Sequence, residues 1–233
     1  MKYFSKFPTT VVTSNGKSTI ITDFLRRVAI SDKFRVNSVV LEDYFVLDGE
    51  TPEMVSNKLY GTPANHWVIL MVNDITNPRE EWPITDSKVT DLVYLKYDFV
   101  LTVPSGAAYL VDDEITSDTG GSFIVTSKTG NTVRLRSQVG KTILTTSSIL
   151  TNARTSASNL TISSVTDPEE DVHHYFDTEL GYIVDEGYSA STDPVNNYEY
   201  EVEVNDAKRT VKVVNTPFLS TIISEFDTLI SGA

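Results

Sequence analysis

The chain has 233 residues, with 32 acidic against 19 basic side chains, a net charge of −13 and no cysteine. This composition excludes a disulfide framework, a thiolate metal site and a cysteine nucleophile, and it argues against a nucleic-acid surface, which needs clustered Lys and Arg. The length suits one large domain or two small ones; no stretch approaches the ~20 apolar residues of a membrane span, and the opening MKYFSKFPTT lacks the apolar run of a signal peptide.

Residues 1–40 read as an N-terminal arm with one short helix. Thr22 or Asp23 would cap that helix, with Leu25 and Val28 inward and Arg26 and Arg27 in solvent. Phe4 and Phe7 stand in an otherwise polar segment before Pro8. Such an aromatic-bearing arm either docks on its own core or inserts into a neighbouring subunit.

The densest pattern runs from Tyr44 to Trp82. Tyr44–Leu47 is aromatic and β-branched, the composition of a strand, and Asp48-Gly49 supplies a turn. Thr51 is placed to cap a helix, and Pro52 suits its first position because the missing N–H has no partner there. Gly61 stops that helix. Thr62-Pro63 repeats the start signal, and Trp67, Leu70 and Met71 form a second apolar stripe.

Residues 97–166 shift to Thr, Ser, Val and Gly. Short runs at Asp98–Val103, Ala107–Val111, Ser122–Ser127, Thr132–Arg136 and Thr142–Leu144 are separated by Gly-containing turns, which suggests a small inserted barrel or sandwich. Residues 167–206 are acidic and turn-rich and read as a connector. Arg209–Val214 alternates cleanly, and Thr216-Pro217 opens a C-terminal amphipathic helix over 217–233. Its stripe is Leu219, Ile222, Ile223, Phe226, Leu229 and Ile230.

A strand, an Asp-Gly-Glu-Thr turn and two short helices resemble the opening of a LysM module. The fuller string is more specific. Leu59-Tyr60-Gly61-Thr62-Pro63, then His66-Trp67-Val68-Ile69-Leu70-Met71 with Asn73-Asp74, then Asn77-Pro78 and Trp82-Pro83, resembles the baseplate wedge protein family (gene product 53) of T-even-type contractile-tailed phages. The resemblance covers Phe7 to about Pro83 and recurs more weakly from Asn197 to Phe226. It implies an α+β chain with a LysM-like β-α-α-β core over 41–83 plus 207–216, and no enzyme. It implies a virion protein of the tail baseplate, made in the host cytoplasm, that joins neighbouring wedges into a closed sixfold ring. Its partners would be other baseplate wedge proteins. The candidate interface residues are Phe4, Phe7, Ile222, Phe226 and Ile230. A peptidoglycan-binding LysM module is the alternative, with its ligand between the Gly49–Thr51 and Asn73–Ile75 turns.

The core needs a second strand, because a lone strand cannot satisfy its own backbone. Pro78–Lys88 is polar and proline-bearing, a poor strand. Arg209–Val214 is therefore expected to pair with Tyr44–Leu47, making Pro83–Asp206 an excursion. Catalytic, cofactor and metal sites are not expected. His66 has no His or Glu at i+4, and His173-His174 read as exposed polar residues. Asp112-Asp113-Glu114 and Glu169-Glu170-Asp171 read as solvated turns rather than a Ca²⁺ loop. The sequence contains no Gly-x-Ser-x-Gly, Walker loop or dinucleotide fingerprint.

Overall fold

A computed structural model describes residues 7–23 and 39–231. The helix expected after Thr22, with Leu25 and Val28, lies outside the described residues, as does Phe4. The chain divides into two compact units, one of residues 1–83 with 206–233, the other of residues 84–205.

The first unit begins with something the sequence reading passed over. β1 (Thr9–Ser14) and β2 (Lys17–Thr22) form an antiparallel hairpin where an irregular arm was expected. Its turn is Asn15-Gly16, with φ of 51° and 74°. Both residues take the left-handed conformation that matches the twist of the flanking strands, which is why Asn-Gly is favoured there.

β3 (Leu41–Phe45) leads to α1 (Pro52–Tyr60), a 3-10 turn at Pro63–Asn65, α2 (His66–Val72) and the single turn α3 (Pro78–Glu81). The start signals work as expected. The Thr51 hydroxyl accepts from the Met54 N–H, and Gly61 ends α1 at φ 69° with its N–H on the Asn57 carbonyl. Thr62-Pro63 opens the 3-10 turn rather than α2 itself.

β14 (Thr210–Val214) then returns to pair antiparallel with β3, and α6 (Thr216–Ser231) closes the unit. Thr210 stands opposite Phe45, Val211 opposite Tyr44 and Val214 opposite Leu41. The pairing is the expected one, but β3 starts three residues earlier and stops before Leu47. Val46 still adds a bond, from its N–H to the Arg209 carbonyl.

Two apolar clusters fill this unit. Val211 and Val213 pack with Val46, Val55, Ile69 and Trp82, and with partly buried Leu59 and Leu70. Trp67 belongs to the other cluster, with Val68, Val214 and the α6 residues Leu219, Ile222, Phe226 and Ile230.

In the second unit, α4 (Asp86–Lys96) precedes a single seven-stranded antiparallel sheet of order β10-β4-β7-β6-β5-β8-β9. Its strands are β4 (Phe99–Thr102), β5 (Glu114–Ser117), β6 (Ser122–Thr129), β7 (Thr132–Ser137), β8 (Leu150–Asn152), β9 (Ala157–Leu160) and β10 (Ser164–Thr166). Two expected strands do not form. Gly106–Ala108 is a 3-10 turn, and Thr142–Leu144 is irregular although Leu144 packs into the core. Gly106 is required at its turn: a Cβ there would lie 1.9 Å from the Gly130 carbonyl oxygen.

Residues 167–206 are not a connector. They fold into β11 (Val172–Asp177), β12 (Tyr182–Val184) and β13 (Thr192–Asn196), a three-stranded sheet, followed by α5 (Asn197–Asp206). Pro194 is tolerated because β13 is an edge strand. Asn205 ties the ends of this unit together: its Oδ1 accepts the Ile84 N–H at 2.9 Å, and its Nδ2 donates to the Ile84 carbonyl at 3.0 Å.

Candidate interaction surface

The side chains that could carry chemistry are occupied with structure. His66 Nδ1 lies 2.9 Å from the Pro63 carbonyl oxygen, at the start of its own helix. His173 sits at an irregularity in β11 and stacks on Tyr200, ring centroids 3.8 Å apart. Burial, His174 and Lys96 together lower its pKa. Among the described residues, no group of three or more His, Asp or Glu could hold a metal ion, and no helix is long and apolar enough to cross a membrane.

In the acidic run Asp112–Glu114, Asp112 and Glu114 are exposed as expected of a solvated turn, and Asp113 departs from it. Asp113 is buried. Its carboxylate is gripped by the Arg154 guanidinium through Nε and Nη2, by the Asn152 amide, and by the Leu110 N–H. Arg154 above all, helped by Asn152 and Leu110 and opposed by burial, holds the Asp113 pKa down to about 2. Asn152 and Arg154 lie some forty residues away, on and after β8, so no local pattern announces them.

The candidate interface residues fall mostly inside. Phe7, Ile222, Phe226 and Ile230 are all buried within the first unit. Phe226 packs on Trp67 with centroids 4.5 Å apart. Of the stripe expected on the last helix, only Leu229 points fully into solvent.

The strands of the first unit also carry exposed apolar side chains. Val11 is 63% exposed, Ile20 71% and Phe45 60%. In the hairpin, the Asp23 N–H bonds to the Pro8 carbonyl. That fixes the alternation: Thr10, Val12 and Ser14 bond across to Ile21, Thr19 and Lys17, while Thr9, Val11, Thr13, Ser18, Ile20 and Thr22 turn their backbone groups outward. Among the described residues nothing pairs with either outer edge.

The β3–β14 pair has two unlike edges. On the β14 side, Asn73 takes both the N–H and the carbonyl of Lys212, and the Tyr60 hydroxyl accepts the Val214 N–H. Burial pushes the Tyr60 hydroxyl pKa up to about 12. On the β3 side the bonds Val46–Arg209 and Asn215–Val40 set the alternation, so Leu41, Asp43 and Phe45 face outward. Among the described residues no backbone partner meets their outward N–H and carbonyl groups, although the Asp43 side chain pairs with Lys212 and Leu41 is buried in the core. One edge is closed by side chains and the other is open.

This is an α+β chain whose first unit joins a strand and two short helices to a strand far along the sequence. Its histidines and buried acid are engaged in packing and ion pairing, and its first unit presents apolar strand surface. Residues 2–115 match the family described as base plate wedge protein 53. Over 71 residues it is 31% identical to baseplate wedge protein gp53 of Enterobacteria phage T4, an alignment that spans 30% of this chain and 36% of that relative.

Sequence reasoning missed the hairpin, although Asn15-Gly16 between two β-branched runs was the available signal. The open edge of β3 had no signal, because it depends on which strand returns to pair.

Proposed function

We propose that this chain is a structural component of a phage tail baseplate that joins neighbouring wedges by protein–protein contacts. The observation that carries this reading is the family match over residues 2–115, which takes in the hairpin, β3 and the first helices. Its partners would be other baseplate wedge proteins, in a sixfold ring within the virion tail, after synthesis in the host cytoplasm. The first unit's core would be LysM-like. The role is architectural, not catalytic. A closed ring of heterologous contacts needs two different complementary patches on each member, and the strand edges are available for that purpose.

The test is to image whole tails of the phage that encodes this chain, with the chain tagged at its C-terminus. Density for the tag at six positions around the baseplate, bridging adjacent wedges, is expected. A tag found at the head or along the tube would overturn the reading, as would normal baseplates in its absence. Specific retention on purified peptidoglycan sacculi, with no place in the tail, would favour a cell-wall-binding module.

A further inference from the structure

The chain carries both halves of a strand-addition joint. The hairpin β1–β2 is a donor: two six-residue strands with β-branched side chains and, among the described residues, no other element paired to them. An isolated two-stranded hairpin is marginal in water at best. Exposed edges of this kind are normally blunted by charge or proline; here the only charged side chain between Thr9 and Thr22 is Lys17. The outer edge of β3 is an acceptor, with three outward-facing residues and no backbone partner among the described residues.

We propose that the hairpin of one copy of this chain adds to the open β3 edge of a second copy, head to tail. Three features fit the two surfaces to each other. When antiparallel strands join edge to edge, the residues that bond across the junction share one face. Phe45 would then stand on the same face as Val11 and Ile20, so an exposed aromatic meets exposed β-branched side chains, a favourable cross-strand pairing. The charges also complement: β3 carries Glu42 in addition to Asp43, which Lys212 of the same chain already holds, and the donor carries only Lys17. Finally, joining hairpin to hairpin would leave Phe45 and the β3 edge uncovered, whereas the head-to-tail joint covers both. The proposal involves no other baseplate protein and stands apart from the reading above.

The test uses the full chain in sedimentation equilibrium, up to about 1 mM because one strand addition is a small contact. Val11→Pro with Ile20→Pro blocks the donor, since both N–H groups point outward and the hairpin's internal bonds remain. Asp43→Pro blocks the acceptor for the same reason. Ile20→Lys and Phe45→Lys serve as a second pair that leaves the backbone intact, and circular dichroism checks that each variant is folded.

The wild-type mass should climb with concentration beyond a dimer. Each blocked variant alone should stay monomeric, and an equimolar mixture of the two types should stop at a 1:1 complex. A monomeric wild type throughout the range would overturn the proposal. Continued self-association of the Asp43→Pro and Phe45→Lys variants would overturn it too, in favour of hairpin-to-hairpin pairing.

Discussion

Asn73 and Lys212, 139 residues apart, are joined by two hydrogen bonds of 2.7 Å, one from the Lys212 N–H to Oδ1 and one from Nδ2 to the Lys212 carbonyl. The side-chain amide stands where a neighbouring strand's peptide would be, and it closes the β14 edge to further pairing. Asn73 Nδ2 also reaches the Ile69 carbonyl at 2.8 Å, so the end of α2 is tied to the same point.

Asn73→Ala is expected to destabilise the chain by about 1–3 kcal/mol, because two backbone groups lose their partner at once. Asn73→Asp should also destabilise it, since a carboxylate cannot donate to the Lys212 carbonyl. Urea unfolding curves check both, read as a lower midpoint with an unchanged slope.

Phe226→Ala should cost about 3–5 kcal/mol, the usual range for emptying an aromatic site in a core, since Phe226 is buried against Trp67. Leu229→Ser, on the exposed side of the same helix, should stay within about 0.5 kcal/mol of wild type. Thermal and urea unfolding of the isolated chain separate the two. Equal effects would show that α6 does not pack as described.

Stability should fall in acid through Asp113. Its pKa is about 2 in the folded chain against an ordinary value of 3.8, so the unfolded chain binds this proton more tightly than the folded one. The contribution, about 2 kcal/mol for a shift of that size, is complete above about pH 4. It is lost as pH falls through the folded value near 2. Arg154→Met removes the main cause of the depression. The stability difference between wild type and this variant should therefore be largest near neutrality and shrink between pH 4 and pH 2.

Replacing residues 84–205 by a short Gly-Ser linker should leave the first unit folded. Lys208 Nζ donates to the Glu80 carbonyl at 2.8 Å, which brings the two sides of the junction close together. The core of this unit is drawn from residues outside the excised span. Amide-exchange protection of Val211 and Val213 in the shortened chain checks this outcome. Loss of that protection would show that the two units depend on each other for folding.

Much of the first unit was legible because its signals are local. Thr51-Pro52, Gly61 and Thr62-Pro63 each act within one helical turn, and the alternation of Arg209–Val214 singled out the returning strand. Apolar periodicity could not separate core from interface: Phe226 and Leu229 look alike on the helix, and only Trp67 decides between them. Acidic composition hid β11–β13, where Asp177 satisfies the Leu180 N–H and the Ser189 hydroxyl rather than solvent alone. Asp113 and Arg154 meet only because β5 pairs with β8, a long-range event with no sequence period.

The long return from β3 to β14 also sets a timetable. Ribosomes add about 5–20 residues per second, so on the order of ten seconds separate the emergence of Asn73 from that of Lys212. During that interval β3 has neither its partner strand nor α6, while every residue of the second unit leaves the ribosome before β14 does. The second unit can thus finish first, and the unit that holds β3 must wait for β14 and α6. Slowing translation between Asp206 and Thr216 would lengthen the time for which a half-built sheet is open to the wrong neighbour.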